Sequence, residues 1–207
     1  MPTIPLSNLP EITGPQEGRA VALVGSFAPV HEGHLDALLS AALAVERVDD
    51  SVNALTLVPN SSEYVRRKLG DVAGLWRFRP RVDAIMRTST SFDIPTYVDD
   101  ISGRVVGLDQ INHIAPLTIE QSLGFDATRT YFVVGSDQLM TMEEHLSGTN
   151  NRAVCVERPG RHEEVKQHLQ TSWVKEALVS GRFLVTSRAN MAHDISSTNI
   201  RCADATG

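Results

Sequence analysis

The sequence predicts an α/β protein in which a doubly wound parallel sheet carries helices on both faces. Short apolar runs rich in β-branched residues recur along the chain, and segments of helical composition alternate with them. The first run passes through a glycine into an amphipathic segment, which is the opening of a strand–helix–strand unit. Runs that are apolar throughout suit strands buried on both faces, and such alternation is typical of parallel sheets with right-handed connections.

The predicted strands share a short apolar core bounded by turn residues. They are residues 20–24, 54–58, 94–98, 131–134, 153–156 and 183–185. The predicted helices have apolar residues at helical spacing or helical composition, and they are residues 35–45, 76–86 and 163–170. Residues 99–115, which contain two glycines and the dipeptide Asp99-Asp100, are predicted to form a long loop. Residues 1–18, rich in proline and glycine, are predicted to be an extended leader before a single domain over residues 19–207.

Composition narrows the classes of function. The 207 residues contain 19 Lys+Arg against 25 Asp+Glu, a net charge of −6, which disfavours broad electrostatic binding to nucleic acid or to an anionic membrane. The chain has only two cysteines, and it has neither an apolar run of membrane-spanning length nor the order of a signal peptide. We therefore expect a cytoplasmic or nuclear protein that binds small molecules, and the sequence leaves homo-oligomer formation open.

The segment 25–34, here called the histidine turn, reads Gly-Ser-Phe-Ala-Pro-Val-His-Glu-Gly-His and joins the first predicted strand to the first helix. Ligands of parallel α/β sheets bind at the carboxyl ends of strands, where a helix N-terminus offers unpaired N–H groups to a phosphate. His31 and His34 fall on the same helical turn and can face one anion together. A zincin requires histidines four apart, and the standard glycine-rich phosphate loops are absent. The alternative is a pair of surface histidines in an ordinary turn.

The segment 195–201, here called the Ser-Ser-Thr segment, reads Ile-Ser-Ser-Thr-Asn-Ile-Arg and follows the last predicted strand. Ser196 or Ser197 suits a helix N-cap, and the hydroxyl groups and first amides of that helix can hold phosphate oxygens. Arg201 falls one turn along, where its guanidinium can reach the same anion. The segment therefore predicts a second phosphate site, and the alternative is a capped helix with a solvated arginine.

Both segments resemble signatures of a known superfamily. The histidine turn resembles the GxFxPxHxGH signature of nucleotidyltransferases, and the Ser-Ser-Thr segment resembles the ISSTxIR signature of nicotinamide or nicotinate mononucleotide adenylyltransferases. Residues 132–139 and 154–160 are similar to a strand followed by Gly-x-Asp and to a strand ending in Arg-x-Gly in the same proteins. The order agrees across residues 20–203. Tyr64, Lys68 and Arg81 are a looser match to a loop and helix of that family.

The resemblance implies a Rossmann-like nucleotidyltransferase fold and adenylyl transfer from ATP to nicotinamide or nicotinate mononucleotide, with release of pyrophosphate, in NAD biosynthesis. The catalytic residues that it implies are His31, His34 and Arg201. The ATP-binding residues that it implies are His31, His34, Gly135, Asp137, Arg158, Ser196, Ser197, Thr198 and Arg201. The acceptor-binding residues that it implies are Gly25, Ser26, Phe27 and Lys68. Mg²⁺ is expected to arrive with ATP and to be held by phosphate oxygens and water, so no protein metal site is expected.

Two departures from the family pattern keep alternatives open. Ala28 stands where the family usually has Asp or Asn, and the tryptophans that stack the pyridine ring in eukaryotic members have no evident counterpart. Phosphopantetheine adenylyltransferase shares the first signature and the reaction, whereas a non-catalytic nucleotide sensor would retain only the ATP site. A cytidylyltransferase fits less well, because the adenine-side segments resemble the adenylyl branch.

Overall fold

A computed structural model describes residues 2–10, 12, 14–49, 51–70, 74, 76–88, 92–105, 111–146, 150–158, 160 and 162–188. In this part of the chain, seven strands form one sheet in which every neighbouring pair is parallel. The strands are β1 (Ile4–Pro5), β2 (Arg19–Gly25), β3 (Val52–Pro59), β4 (Thr96–Val98), β5 (Thr130–Gly135), β6 (Arg152–Glu157) and β7 (Phe183–Ser187). The six predicted strands are confirmed, and the leader contributes an unpredicted one, β1, which pairs with β4.

Eight α-helices connect these strands within the described residues. They are α1 (Glu32–Glu46), α2 (Ser62–Leu69), α3 (Phe78–Met86), α4 (Ser102–Val105), α5 (Ile111–Leu123), α6 (Glu143–Leu146), α7 (His162–His168) and α8 (Ser172–Val179). The described part of the chain also has two 3₁₀ helices, Leu6–Asn8 and Ser136–Met142. The three predicted helices correspond to α1, α3 and α7. The others were missed because they are short or carry weak periodicity.

The prediction of a long loop over residues 99–115 is wrong, because α4 and the first turns of α5 occupy much of it. Asp99 precedes α4 and caps its start: its Oδ1 accepts hydrogen bonds from the backbone N–H groups of Ile101 (3.0 Å) and Ser102 (2.8 Å). The Ser102 hydroxyl in turn donates to Thr118 Oγ1 of α5 at 2.8 Å. In the dipeptide Asp99-Asp100, which suggested a loop, Asp99 therefore acts as a helix cap.

Helices cover both faces of the sheet, as predicted. The alternate residues of β2 pack against different helices on the two faces. Val21 and Leu23 pack with α1 and α3 on one face, whereas the alternate residues Ala20 and Ala22 pack with α5 on the other. Farther along the sheet, α6, α7 and α8 cover the face of β5 and β6 that lies opposite α1. Burial on both faces explains why the strands are almost continuously apolar in sequence.

The strand order β1-β4-β3-β2-β5-β6-β7 places the chain reversal at the centre of the sheet. The chain first builds outward from β2 in one direction through β3 and β4. It then returns to pair β5 with the free side of β2 and builds outward in the other direction through β6 and β7. Connections leave on opposite sides of β2 and β5 at this switch point, so a crevice opens at the carboxyl ends of the two strands.

The opposite ends of the strands are held by one carboxylate. Asp49 accepts two hydrogen bonds from Arg19, at 2.8 and 2.7 Å, one from Arg152 at 2.9 Å and one from the Tyr131 hydroxyl at 2.8 Å. These donors stand at or next to the starts of β2, β5 and β6. The Arg19 hydrogen bonds are the main reason that the pKa of Asp49 lies below its usual value. This cluster holds the amino ends of β2, β5 and β6 together, at the edge of the sheet opposite the crevice.

Among the described residues, no helix combines the length and the apolar character that a bilayer crossing requires.

Candidate active site

A cleft of about 330 Å³ lies at the switch point, where β2 and β5 end side by side. Gly25 and Ser26 form its wall at the end of β2, and Gly135 forms the corresponding wall at the end of β5. The hydroxyl oxygen of Ser26 is buried there and has no hydrogen-bond partner among the described residues. The fold therefore brings polar groups from two distant segments to the place where parallel sheets bind ligands.

The histidine turn ends as the first turn of α1. His31 is the N-cap residue, with extended backbone, and its N–H donates to Nδ1 of His34 at 3.2 Å. The two imidazole rings lie with centroids 3.8 Å apart, and both line the cleft. Because Nδ1 of His34 accepts a hydrogen bond, the proton of the neutral ring resides on Nε2. His34 is thereby fixed as a donor through Nε2.

Both histidines are neutral at pH 7 in this cleft. Burial, followed by the positive charges of Arg188 and Arg158, lowers the pKa of His31 to about 4. Burial, His31 and the same two arginines lower the pKa of His34 to about 3. Burial is the larger cause of both shifts, and an anion bound between the rings and the guanidinium groups would offset the smaller part that comes from the arginines. The site is therefore arranged to receive negative charge.

Phe27 packs against His34 from outside the cleft lining. Its side chain is buried, and its backbone adopts a positive φ of 46°, which is rare for a residue other than glycine. The ring packs against Gly25 at the end of β2 and against the edge of His34. Phe27 thus supports the turn with its side chain, and its ring is not part of the cleft lining.

The second half of the chain supplies the facing wall. Asp137 begins the 3₁₀ helix after β5, and Arg158 follows β6; their side chains form an ion pair at 3.7 Å. Both side chains are nearly half exposed, so the pair is open to a ligand. A Cβ atom at Gly135 would lie 2.6 Å from Oδ1 of Asp137, so a larger residue there would displace this carboxylate.

Arg188 also lines the cleft, and sequence reasoning missed it. It directly follows β7 and is 9% exposed. Its charge contributes to the lowered pKa values of both histidines. A signal was present, because an arginine immediately after the last predicted strand falls at the same edge of the sheet as the other strand ends. Residues 183–185 were too short a run to show where that strand ended.

Most of the residues proposed for the site from sequence come together in this cleft. Those that line it are Gly25, Ser26, His31, His34, Lys68, Gly135, Asp137 and Arg158. Lys68 reaches the cleft from the last turn of α2. Ser196, Ser197, Thr198 and Arg201 lie outside the described residues.

A family model described as cytidylyltransferase-like matches residues 22–203. The match covers most of the chain and runs from the histidine turn through the Ser-Ser-Thr segment. The chain belongs to the cytidylyltransferase-like family. Membership assigns nucleotidyl transfer as the class of reaction, and it agrees with the parallel sheet and with the position of the cleft. A comparison with curated proteins found no match.

The charge of the cleft suits the substrates of the cytidylyltransferase-like family. Among the described lining residues, the cations are Lys68, Arg158 and Arg188, and the only carboxylate is Asp137. The cleft is therefore positive although the whole chain carries a net charge of −6. Within the described residues, no group of three or more acidic, histidine or cysteine side chains is placed to hold a metal ion.

Proposed function

We propose that the protein transfers the adenylyl group of ATP to nicotinamide mononucleotide or nicotinate mononucleotide and releases pyrophosphate. The observation that carries the proposal is the pair of adjacent, neutral imidazoles at the start of α1, which line one cleft with Arg158 and Arg188. Family membership supplies the reaction class. The four sequence segments that resemble mononucleotide adenylyltransferases supply the nucleotide and the acceptor.

The chemistry needs no protein nucleophile. A phosphate oxygen of the acceptor attacks the α-phosphorus of ATP, the bond from that phosphorus to the bridging oxygen breaks, and pyrophosphate leaves with the electron pair. Negative charge grows on the bridging oxygen as the bond breaks. In this proposal, neutral imidazole N–H groups and the guanidinium groups that line the cleft stabilise that charge.

Each wall of the cleft has a role in this proposal. His31 and His34 donate to the phosphates of ATP, and Arg158 neutralises charge opposite them. Gly135 leaves room for the ribose and adenine beside Asp137. The backbone at Gly25, Ser26 and Phe27 receives the acceptor, and Lys68 binds its phosphate.

The Ser-Ser-Thr segment completes the proposed ATP site through Ser196, Ser197, Thr198 and Arg201. Mg²⁺ enters as part of the ATP·Mg²⁺ substrate, held by phosphate oxygens and water. Asp137 is the one carboxylate among the described lining residues, and it already pairs with Arg158, which suits a metal ion carried by the nucleotide.

The test is pyrophosphate release by the purified full chain, with mass identification of the product. ATP and CTP are offered separately, each with Mg²⁺, in combination with nicotinamide mononucleotide, nicotinate mononucleotide or phosphopantetheine. The proposal expects release with ATP and one or both pyridine mononucleotides, and a product containing both nucleotides.

Other outcomes identify the alternatives. Release with phosphopantetheine alone would make the protein a phosphopantetheine adenylyltransferase, and preference for CTP would make it a cytidylyltransferase. Binding of ATP without release in any combination would favour a nucleotide sensor. Arg201→Ala in the same assay should weaken ATP binding, because it removes the cation proposed for the triphosphate.

A further inference from the structure

Arg81 is the most deeply buried arginine among the described residues, at 3% exposed. It lies on α3, and its side chain is not part of the cleft lining. Burial of a guanidinium group is costly unless the group is paired or fully hydrogen-bonded. A buried arginine in a helix that otherwise packs apolar residues against β3 and β4 therefore calls for a local reason.

The hydrogen bonds of Arg81 supply that reason. Its guanidinium donates to the backbone carbonyls of Ser26 at 2.8 Å and Asn60 at 2.7 Å. It also donates to the carbonyls of Trp76 at 3.3 Å and Arg77 at 3.2 Å, just before α3. Each of these partners is a backbone oxygen, so the side chain holds loops rather than neutralising an acid.

Ser26 and Asn60 follow β2 and β3, which are neighbours in the sheet. The Asn60 N–H donates to the Gly25 carbonyl at 2.9 Å. The next carbonyl along each segment, that of Ser26 and that of Asn60, accepts from the Arg81 guanidinium. The two strand ends are therefore fixed as one unit. That unit forms one side of the cleft through Gly25 and Ser26.

The contact at Ser26 also sets a direction. In a trans peptide, the carbonyl of one residue and the N–H of the next point to opposite sides. Because the Ser26 carbonyl points at Arg81, the Phe27 N–H points away from α3. The positive φ of Phe27 is compatible with few other orientations of this peptide.

We infer that Arg81 is a positioning residue for the acceptor mononucleotide: by holding the Ser26 and Asn60 carbonyls, it aims the Ser26–Phe27 peptide that the acceptor contacts. This inference rests on the proposed function for the identity of the ligand. Arg81 acts through the backbone and touches neither substrate, and the ATP-binding wall formed by Gly135, Asp137 and Arg158 is independent of it.

The test compares Arg81→Met and Arg81→Lys with the parent protein and with Arg79→Met. Arg79 is the matched control, since it lies two residues earlier on the same helix, is 63% exposed and pairs with Asp83. Steady-state rates are measured with ATP and with the acceptor varied separately. Amide hydrogen exchange over residues 25–31 and melting temperatures are measured without any substrate.

We expect Arg81→Met to raise the KM for the acceptor roughly tenfold or more. The Ser26–Phe27 peptide would be misplaced, and a misplacement of about 1 Å is enough to cause a loss of this magnitude. The KM for ATP should stay within about twofold, and Arg79→Met should change neither constant. Arg81→Lys should recover part of the loss, because an ammonium group can reach some of the carbonyls but lacks the planar fork. Within residues 25–31, exchange should accelerate at Ser26, Phe27 and Ala28 and not at His31, and it should not accelerate in β5.

Equal rises in both KM values, or exchange that accelerates evenly throughout the protein, would overturn the inference. Failure of both variants to fold would also overturn it, since Arg81 would then serve the fold as a whole. The exchange measurement needs no substrate. Local acceleration in a protein that adenylates no mononucleotide would therefore contradict the proposed function while retaining the role of Arg81 in orienting the loop.

Discussion

The ring of Phe27 meets the imidazole of His34 edge-on, with ring centroids 4.9 Å apart and planes inclined by 67°. The same ring lies so close to Gly25 that a Cβ atom there would be 3.0 Å from it. One buried side chain therefore connects the end of β2 with the histidine that faces the cleft. The position of His34 depends on this packing as well as on its hydrogen bond from the His31 backbone.

Phe27→Leu should uncouple His34 from the strand end. Leucine is smaller and has no ring edge to present, so we expect a loss of about 1–2 kcal/mol in the free energy of unfolding, measured in urea. Pyrophosphate release should fall more steeply than stability, because the imidazole loses its lateral support. Unchanged turnover at reduced stability would show that the hydrogen bond to Nδ1 suffices to hold His34.

His34→Ala should reduce turnover by roughly a hundredfold or more, as removal of a preorganised donor to a developing charge does. The melting temperature should change little, because the imidazole sits at the surface of a cleft and not within the core. His113→Ala is the control, since His113 is exposed on α5, away from the cleft. Equal rates in the parent and the His34→Ala variant would remove His34 from the mechanism.

Stability should decrease as the pH falls below neutrality. The ordinary histidine pKa is 6.5, whereas those of His31 and His34 in the folded protein are about 4 and about 3. Between these values the unfolded chain binds more protons than the folded chain, so stability present above pH 6.5 is lost progressively toward pH 3–4.

The measurement is the melting temperature from pH 7 to pH 5 for the parent and for a His31→Gln, His34→Gln double variant. The double variant should lose several degrees less over this range. His145, whose pKa burial lowers to about 4, contributes in the same window. It is present in both proteins, so the difference between them isolates the cleft pair. Parallel curves would mean that the cleft histidines do not govern the acid response.

Gly135→Ala should weaken ATP binding. The added Cβ would lie 2.6 Å from Oδ1 of Asp137, so the carboxylate must move and its ion pair with Arg158 must change. We expect the KM for ATP to rise about tenfold, since the methyl group also fills the wall proposed for the nucleotide. Gly14→Ala is the control, because a Cβ there meets no atom within 4 Å. A crystal structure with Asp137 unmoved would contradict the reasoning.

Asp49→Asn should destabilise the protein by about 1–3 kcal/mol, because it leaves partly buried donors of Arg19, Arg152 and Tyr131 without their anion. Turnover per folded molecule should be preserved, since the cluster lies at the far ends of the strands. Asp83→Asn, which breaks the exposed Arg79 pair, should cost less than about 0.5 kcal/mol in the same urea titration. Similar losses in the two variants would mean that burial adds nothing to the Asp49 cluster.

The sheet was predictable because its strands are buried on both faces, and alternate residues such as Val21 and Ala22 are therefore apolar alike. Two kinds of element were not predicted from the sequence. Strand β1 is two residues long and contains Pro5, and α4 depends on a capping carboxylate in a segment that reads as a turn. Their stability comes from tertiary contacts that leave no periodic trace in the sequence.

The histidine turn and the Gly-x-Asp segment were predictable because each is a local pattern at a strand end. Arg188 and the anchoring role of Arg81 were not, because each depends on which distant backbone lies beside it. The lowered histidine pKa values are equally non-local: they arise from burial and from arginines more than 100 residues away in sequence.

The strand order determines when the cleft can form as the chain is synthesised and folds. The histidines and Lys68 belong to the first half of the chain, whereas Asp137, Arg158 and Arg188 belong to the second, and the halves join where β2 pairs with β5. Among the described residues, the lining of this cleft comes from both halves, so we expect a nascent chain on the ribosome to bind nucleotide only after β5 has docked. Two fragments divided between α4 and α5 should be inert apart, and any activity on mixing would report reassembly of the central strand pair.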